Sequence, residues 1–183
     1  MARLRYTAIA SLDGYVNDSD GGFALAEPTE QLHQVVNDLE REVGTYLLGR
    51  RVYETMRYWE TAPGDVPGPV GEYARIWRSA DKVVHSTTLE EVTTARTRLV
   101  GSFDRAAVEQ LKASSVLDVS IGGASLAGEA FRAGLVDDVH LFLHPVVVGG
   151  GTRALPDGVH ATLELVAVER VGEVVHLHHR VTR

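Results

Sequence analysis

The sequence predicts an α/β protein in which a mainly parallel sheet is flanked by helices and closed by a C-terminal antiparallel hairpin. Short apolar or alternating runs take turns with stretches of helical periodicity through most of the chain, the pattern of strands joined by crossover helices. Two of these changeovers pass through glycine, at Gly49 and at Gly122-Gly123. The last two strand candidates meet across a tight turn at Gly172 with no helix between them, so they read as antiparallel.

Leu4, Tyr6, Ala8 and Ala10 alternate in a first strand that ends at Ser11-Leu12-Asp13-Gly14-Tyr15. Turn-forming residues continue from Asn17 to Gly22, a long polar loop of the kind that carries function. From Pro28 onward, Leu32, Val35, Val36, Leu39 and Val43 recur at helical spacing with polar residues between them. Thr45 to Leu48 is a strand candidate running into Gly49-Arg50-Arg51, and Val52 to Tyr58 reads as one or two helical turns. Prolines and glycines from Thr61 to Gly71 exclude regular structure there. A helix with Tyr73, Ile76 and Trp77 on one side follows, then strands at Asp81 to His85 and Arg98 to Val100. Ser102 is the expected cap of a helix carrying Ala106, Ala107 and Leu111. Val119 to Leu126 passes from strand through glycine into a helix that Gly134 stops. Val139, Leu141 and Leu143 alternate with His140, Phe142 and His144 up to Pro145, and strands at Leu163 to Arg170 and Glu173 to Val181 complete the chain.

At 183 residues the chain suits one domain, and its 44% hydrophobic and 23% charged composition is that of a soluble protein. No uncharged apolar stretch approaches the ~20 residues that span a bilayer, and the first residues lack a signal-peptide core, so a cytoplasmic protein without membrane contact is expected. The absence of cysteine excludes disulfides, thiolate nucleophiles and Cys-ligated zinc. The net charge of -7 argues against nucleic acid as a partner and leaves a small-molecule ligand.

Three strand ends carry anion-binding chemistry. Gly122-Gly123 before Ala124-Ser125-Leu126 exposes amides at the positive end of a helix, although a glycine pair at such a place serves equally as a packing device. Gly49-Arg50-Arg51 adds guanidinium groups to a helix start, where arginine is more commonly just solvated. Ser86-Thr87-Thr88 after Val83-Val84-His85 offers three hydroxyls that cap a helix or meet a phosphate. Ligands of open α/β sheets lie at the carboxyl ends of the strands, where all three junctions should gather.

These segments, with Ser11 to Tyr15 and Pro145-Val146-Val147-Val148-Gly149-Gly150-Gly151, occur in the order found in the dihydrofolate reductase-like superfamily. Over nearly its whole length the chain most resembles the reductase domain of bifunctional riboflavin biosynthesis proteins and its stand-alone relatives. The resemblance implies a homodimeric reductase that transfers hydride from NADPH to a small heterocyclic or phosphoribosyl substrate, as in reduction of 5-amino-6-(5-phosphoribosylamino)uracil. Dihydrofolate reduction and a non-catalytic NADPH- or nucleotide-binding protein are the competing readings. If the chain works in that pathway, another chain is expected to supply the deamination. By the same carry-over Gly49, Arg50, Arg51, Gly122, Gly123, Ala124, Ser125 and Leu126 hold the cofactor, and Ser86, Thr87 and Thr88 lie near its 2'-phosphate. The chain departs from the pattern at Val52, where dihydrofolate reductases usually have threonine, and at His85, where relatives often have a smaller residue. The superfamily also admits a cis peptide at the position of Gly122-Gly123.

Asp13 is the leading catalytic candidate, beside the expected nicotinamide pocket, and is also a natural turn-former before Gly14. Glu30 and His33 on the first helix, with Tyr53, Trp59 and also Tyr58, are candidates to line the substrate pocket, although such side chains more commonly serve as solvated helix residues or core. His140 and His144 share one strand face, as do His176 and His178, with His179 opposite. No carboxylate or cysteine sits at a convincing spacing, so an exposed sheet face or subunit contact is expected there and no metal site.

Overall fold

The computed structural model describes residues 1–22 and 28–182. In chain order the elements are β1 (Leu4–Ser11), α1 (Glu30–Glu40), β2 (Val43–Gly49), α2 (Arg50–Met56), a 3-10 turn (Arg57–Glu60), α3 (Pro69–Ser79), β3 (Asp81–His85), β4 (Thr97–Val100), α4 (Arg105–Ser114), β5 (Asp118–Gly122), α5 (Ala124–Arg132), β6 (Asp138–His144), β7 (Thr162–Val171) and β8 (Val174–Thr182). They form one eight-stranded sheet ordered β4-β3-β2-β5-β1-β6-β8-β7. The pairs from β4 to β6 are parallel, and β8 runs antiparallel to both β6 and β7. The expected mainly parallel sheet with a C-terminal hairpin is the observed one.

At the centre of the sheet both faces are covered, which explains the continuous apolar run in β2. Leu47 packs with Leu4, Tyr6, Val119 and Ile121 beneath the α4 and α5 residues Val108, Ala127 and Phe131. Its neighbours Tyr46 and Leu48 point the other way, to Tyr73 and Trp77 of α3. A third cluster seats Leu32 of α1 on Phe142, Val171 and Val174. Alternate residues of one strand thus bury themselves in different layers.

Local chemistry sets the helix ends and corrects several sequence-based expectations. The Thr29 hydroxyl accepts the Leu32 amide at 3.2 Å to start α1. Val43 belongs to β2, not to α1: the helix ends at Glu40, and the Glu42 carbonyl already accepts the Asp118 amide of the sheet. Asp104 rather than Ser102 caps α4, its carboxylate accepting the Ala106 amide at 2.9 Å. α3 starts at Pro69, inside the segment expected to be irregular, because a fixed φ and a missing N–H suit the first position of a helix.

The α1 face of the sheet also corrects the expectation for the histidines. His140 and His176 are buried rather than exposed, with His140 Nδ1 3.0 Å from His176 Nε2. His178 stacks on His140 with ring centres 4.2 Å apart, and Phe142 stacks on His176 at 4.3 Å. Burial, with the neighbouring His178 and His176, holds the pKa of His140 down at about 3. Among the described residues no group of three His, Asp or Glu side chains is placed to hold a metal, and no helix is long and apolar enough to cross a membrane.

Glu40 is buried at the end of α1, and desolvation lifts its pKa to about 7 against the pull of the Tyr46 hydroxyl and the Arg5 charge. Between its unfolded value of about 4.5 and pH 7 the folded chain binds the extra proton at this site, so this contribution to stability is lost as pH rises through that window. Glu40→Gln should therefore stabilise the protein at pH 8, by on the order of 1–3 kcal/mol relative to its effect at pH 4. Urea unfolding at the two pH values measures the difference, and equal effects at both would contradict it.

Candidate functional site

Parallel pairing brings the carboxyl ends of six strands to one rim. Gly49 pairs with His85 on one side, and Leu48 with Gly122 on the other. The three glycine- or hydroxyl-bearing junctions therefore sit on adjacent strands, β3, β2 and β5. Beyond them on the rim come Ser11 of β1 and His144 of β6, themselves paired.

The glycine pair is required first by packing. A Cβ on Gly122 would lie 3.1 Å from Leu48 Cδ2 and 3.2 Å from Val52 Cγ1. Gly123 has φ +100, and a Cβ there would meet Val52 Cγ2 at 3.3 Å. Val52 is thus the side chain that crowds both glycines, joined by Leu48 at Gly122. The peptide between them is trans, one of the two forms left open by the resemblance. The same backbone also leaves α5 with no side-chain cap, so its first amides retain unused donors.

Those amides border a pocket of about 340 Å³ lined by Ala124, Ser125, Tyr15, Arg153 and the Gly150-Gly151-Thr152 segment. Arg153 lies over the Tyr15 ring at 5.3 Å and pairs with Asp157 at 3.3 Å. Neither Tyr15 nor Arg153 stands out as a ligand-binding residue in the sequence; their signal is that each follows a glycine-bearing loop expected at the rim. Further along, Arg50 donates to Thr88 Oγ1 at 2.9 Å and to Glu54 at 2.8 Å, which ties the β2 and β3 junctions together. The Ser86 hydroxyl accepts the Leu89 and Thr88 amides and is a turn cap here, whereas Thr87 and Arg51 stand exposed. Burial lowers the pKa of His85, against an opposing pull from the Ser102 backbone.

Asp13 is committed to backbone. Its carboxylate accepts the Gly149 amide at 2.8 Å and the Val148 amide at 3.2 Å. With the Ser11 hydroxyl leading and these amides adding, its pKa is held below the ordinary carboxylate range. It is therefore ionised at neutral pH and poorly suited to give up a proton. What it does is fix the segment after β6.

On the α1 side of the rim lies a cleft of about 1090 Å³. Its walls come from the starts of α1 and α3, the end of β6 and the β7–β8 turn, with Glu30, Leu32, His144, Pro145 and Glu173 among the lining residues. Of the expected substrate residues only Glu30 lines it. His33 is buried against Trp59 and Tyr73, with ring centres 5.5 and 5.7 Å away. Tyr58 in turn stacks edge-on against Trp59. Tyr53 lies in the core and its hydroxyl accepts the Thr93 amide at 2.8 Å. His144 carries no signal in the sequence beyond its place in a strand, yet it reaches the cleft because β6 ends there.

The chain matches the RibD C-terminal domain family over residues 2–177. It belongs to that family. It is 27% identical over 144 residues to the uncharacterized protein YyaP of Bacillus subtilis (strain 168), which covers 77% of this chain and 73% of YyaP. A candidate riboflavin biosynthesis protein from Shewanella sp. PV-4 shares the fold with a TM-score of 0.77 at 18% identity, over 100% of both chains. A pyrimidine reductase-like protein from Corynebacterium diphtheriae superposes with a TM-score of 0.71 at 15% identity, over 100% of this chain and 92% of the other. The Thermotoga maritima diaminohydroxyphosphoribosylaminopyrimidine deaminase/5-amino-6-(5-phosphoribosylamino)uracil reductase does so with 0.66 at 17% identity, this chain spanning 57% of its length.

Gly123→Ala should cost about 1–3 kcal/mol of stability, because alanine must adopt a positive φ and press on Val52. Chemical denaturation measures this, and an unchanged midpoint would show that the loop relaxes freely. The companion Val52→Ala, by relieving the contact, should restore only the steric part.

Proposed function

We propose that this RibD C-terminal domain family member is an NADPH-dependent reductase acting on a small heterocyclic substrate. The observation that carries this reading is the alignment of the three junctions on adjacent strands β3, β2 and β5, with the uncapped start of α5 and Arg153 at one end. The residues present suit a dinucleotide: amides and Arg153 for the pyrophosphate, Arg50 with Thr87 and Thr88 for the far phosphate. NADPH, when bound, supplies the hydride. The chain's own part is to orient and enclose. Gly123 leaves the first amides of α5 without a side-chain cap, while the exposed Arg51 adds positive charge.

Asp13 acts in this reading as a positioning residue. By holding Val148 and Gly149 it sets the segment that runs from the cleft at Pro145 to the pocket at Gly151, so the two binding spaces stay in register. The proton that accompanies hydride transfer must then come from water or from a group in the cleft, such as Glu30 or His144.

NADPH should raise the melting temperature, and Arg153→Ala should weaken its binding about 10-fold, the worth of one charge-assisted hydrogen bond. Differential scanning fluorimetry over an NADPH titration tests both. No protection at millimolar NADPH would sink the reading, and protection without turnover on any pterin, pyrimidine or carbonyl compound would favour the non-catalytic alternative. We further propose a homodimer through the β7–β8 hairpin, where Leu165, Val168 and Val175 leave one sheet face apolar and exposed. Light scattering should give twice the chain mass, and Val168→Glu with Leu165→Glu should return it to monomer; a monomeric wild type at high concentration would end this idea.

A further inference from the structure

We infer that the cleft beside α1 takes a phosphate-free, uncharged or cationic nitrogen heterocycle, and that His144 is its hydrogen-bonding anchor. The inference rests on the reductase reading and names the substrate class of that same site. Its first support is charge. Among the described residues that line the cleft none is lysine or arginine, while Glu30 and Glu173 are both present. Two arginines close to these elements are already paired, one of them with a carboxylate of the cleft itself. Arg170 donates to the Gly172 carbonyl at 2.8 Å and to Glu173 at 2.9 Å, and Arg41 pairs with Glu72 and Asp38.

Two helix starts also border the cleft, and a helix start by itself favours an anion. Here each already carries its own carboxylate, Glu30 in α1 and Glu72 in α3. Thr29 caps the first, and Pro69 brings no N–H to the second. A phosphate placed in the cleft would meet the Glu30 carboxylate and a Glu173 whose partner Arg170 is already used, with no lysine or arginine among the described lining residues to receive it. The other end of the rim carries three arginines, Arg50, Arg51 and Arg153, the first paired with Glu54 and the last with Asp157.

The second support is His144. Among the described residues none bonds to its ring, and Nε2 is buried without a partner. Burial lowers its pKa, so the ring is neutral at pH 7 and can both donate and accept. Such a group suits the amide or imine edge of a pyrimidine or pterin ring lying between the apolar side chains of Leu32, Val35 and Val174.

The test uses a matched pair: 5-amino-6-(5-phosphoribosylamino)uracil and the same compound after phosphatase treatment. Each is titrated calorimetrically into the cofactor-free protein and then supplied as substrate with NADPH. The dephosphorylated compound should bind at least about 10-fold more tightly, the effect of roughly one unfavourable charge contact, and support the faster NADPH oxidation. Glu30→Gln combined with Glu173→Lys should narrow or reverse that preference. His144→Ala should weaken the dephosphorylated compound while leaving thermal protection by NADPH unchanged, and His144→Gln should recover part of the loss. Equal or tighter binding of the phosphorylated compound, or binding of neither while NADPH still protects, overturns this proposal and leaves the reductase reading standing. Loss of NADPH protection in the wild type overturns both.

Discussion

The rim is held by a seam between two loops rather than by the sheet alone. β1 and β6 pair in parallel as far as Ser11 and His144, and the chains leaving them stay bonded. The Leu12 amide donates to the Val146 carbonyl, Val16 to Thr152, and Ala154 back to Gly14. Asn17 accepts the Thr152 amide at 2.7 Å, and Asp13 takes Val148 and Gly149. Gly151 is where the seam is tightest: with φ +127, a Cβ there would sit 2.0 Å from the Asn17 carbonyl oxygen. Without this seam the segment after β6 would be a free loop, and neither pocket would keep its wall.

The seam also divides the rim by charge. On one side lie the uncapped α5 start and the arginines, on the other a cleft of carboxylates, amides and one unpartnered imidazole. A reductase of the kind proposed must bring two chemically unlike molecules to within contact of each other, and a shared wall of fixed backbone would do so at little entropic cost. The same backbone makes local side-chain changes on one side largely independent of the other, since amides rather than shared side chains carry the connection.

Much of this is legible in the sequence, and the parts that are not have physical causes. Strand-to-helix junctions at Gly49 and Gly122 announce themselves because glycine breaks an apolar run at a fixed place in the alternation. Their neighbourhood follows from the parallel-sheet rule alone. The role of Val52 is not visible, since which side chain crowds a glycine depends on how α2 lies over β5. Nor is the burial of His140 and His176, because a histidine-rich strand looks polar until its partner strand stacks histidine on histidine. Asp13 is conspicuous for its place, while its bonds to the Val148 and Gly149 amides are not. A turn aspartate and an anchor for amides 135 and 136 residues away look the same in one dimension. Tyr53 and Trp59 look like pocket walls because aromatic residues near a helix start suit either a core or a pocket.

The edge of the sheet carries a consequence of its own. β7 is an edge strand of ten residues, long enough to recruit a foreign strand in the crowded cell. Its pairing with β8 slips between Leu165 and Ala167. That extra residue bends the outer hydrogen-bonding line and breaks the even spacing that a second chain would need to add on in register. The irregularity thus permits an apolar outer face to coexist with an open edge, so that sideways contact through side chains is encouraged while end-to-end growth of the sheet is discouraged.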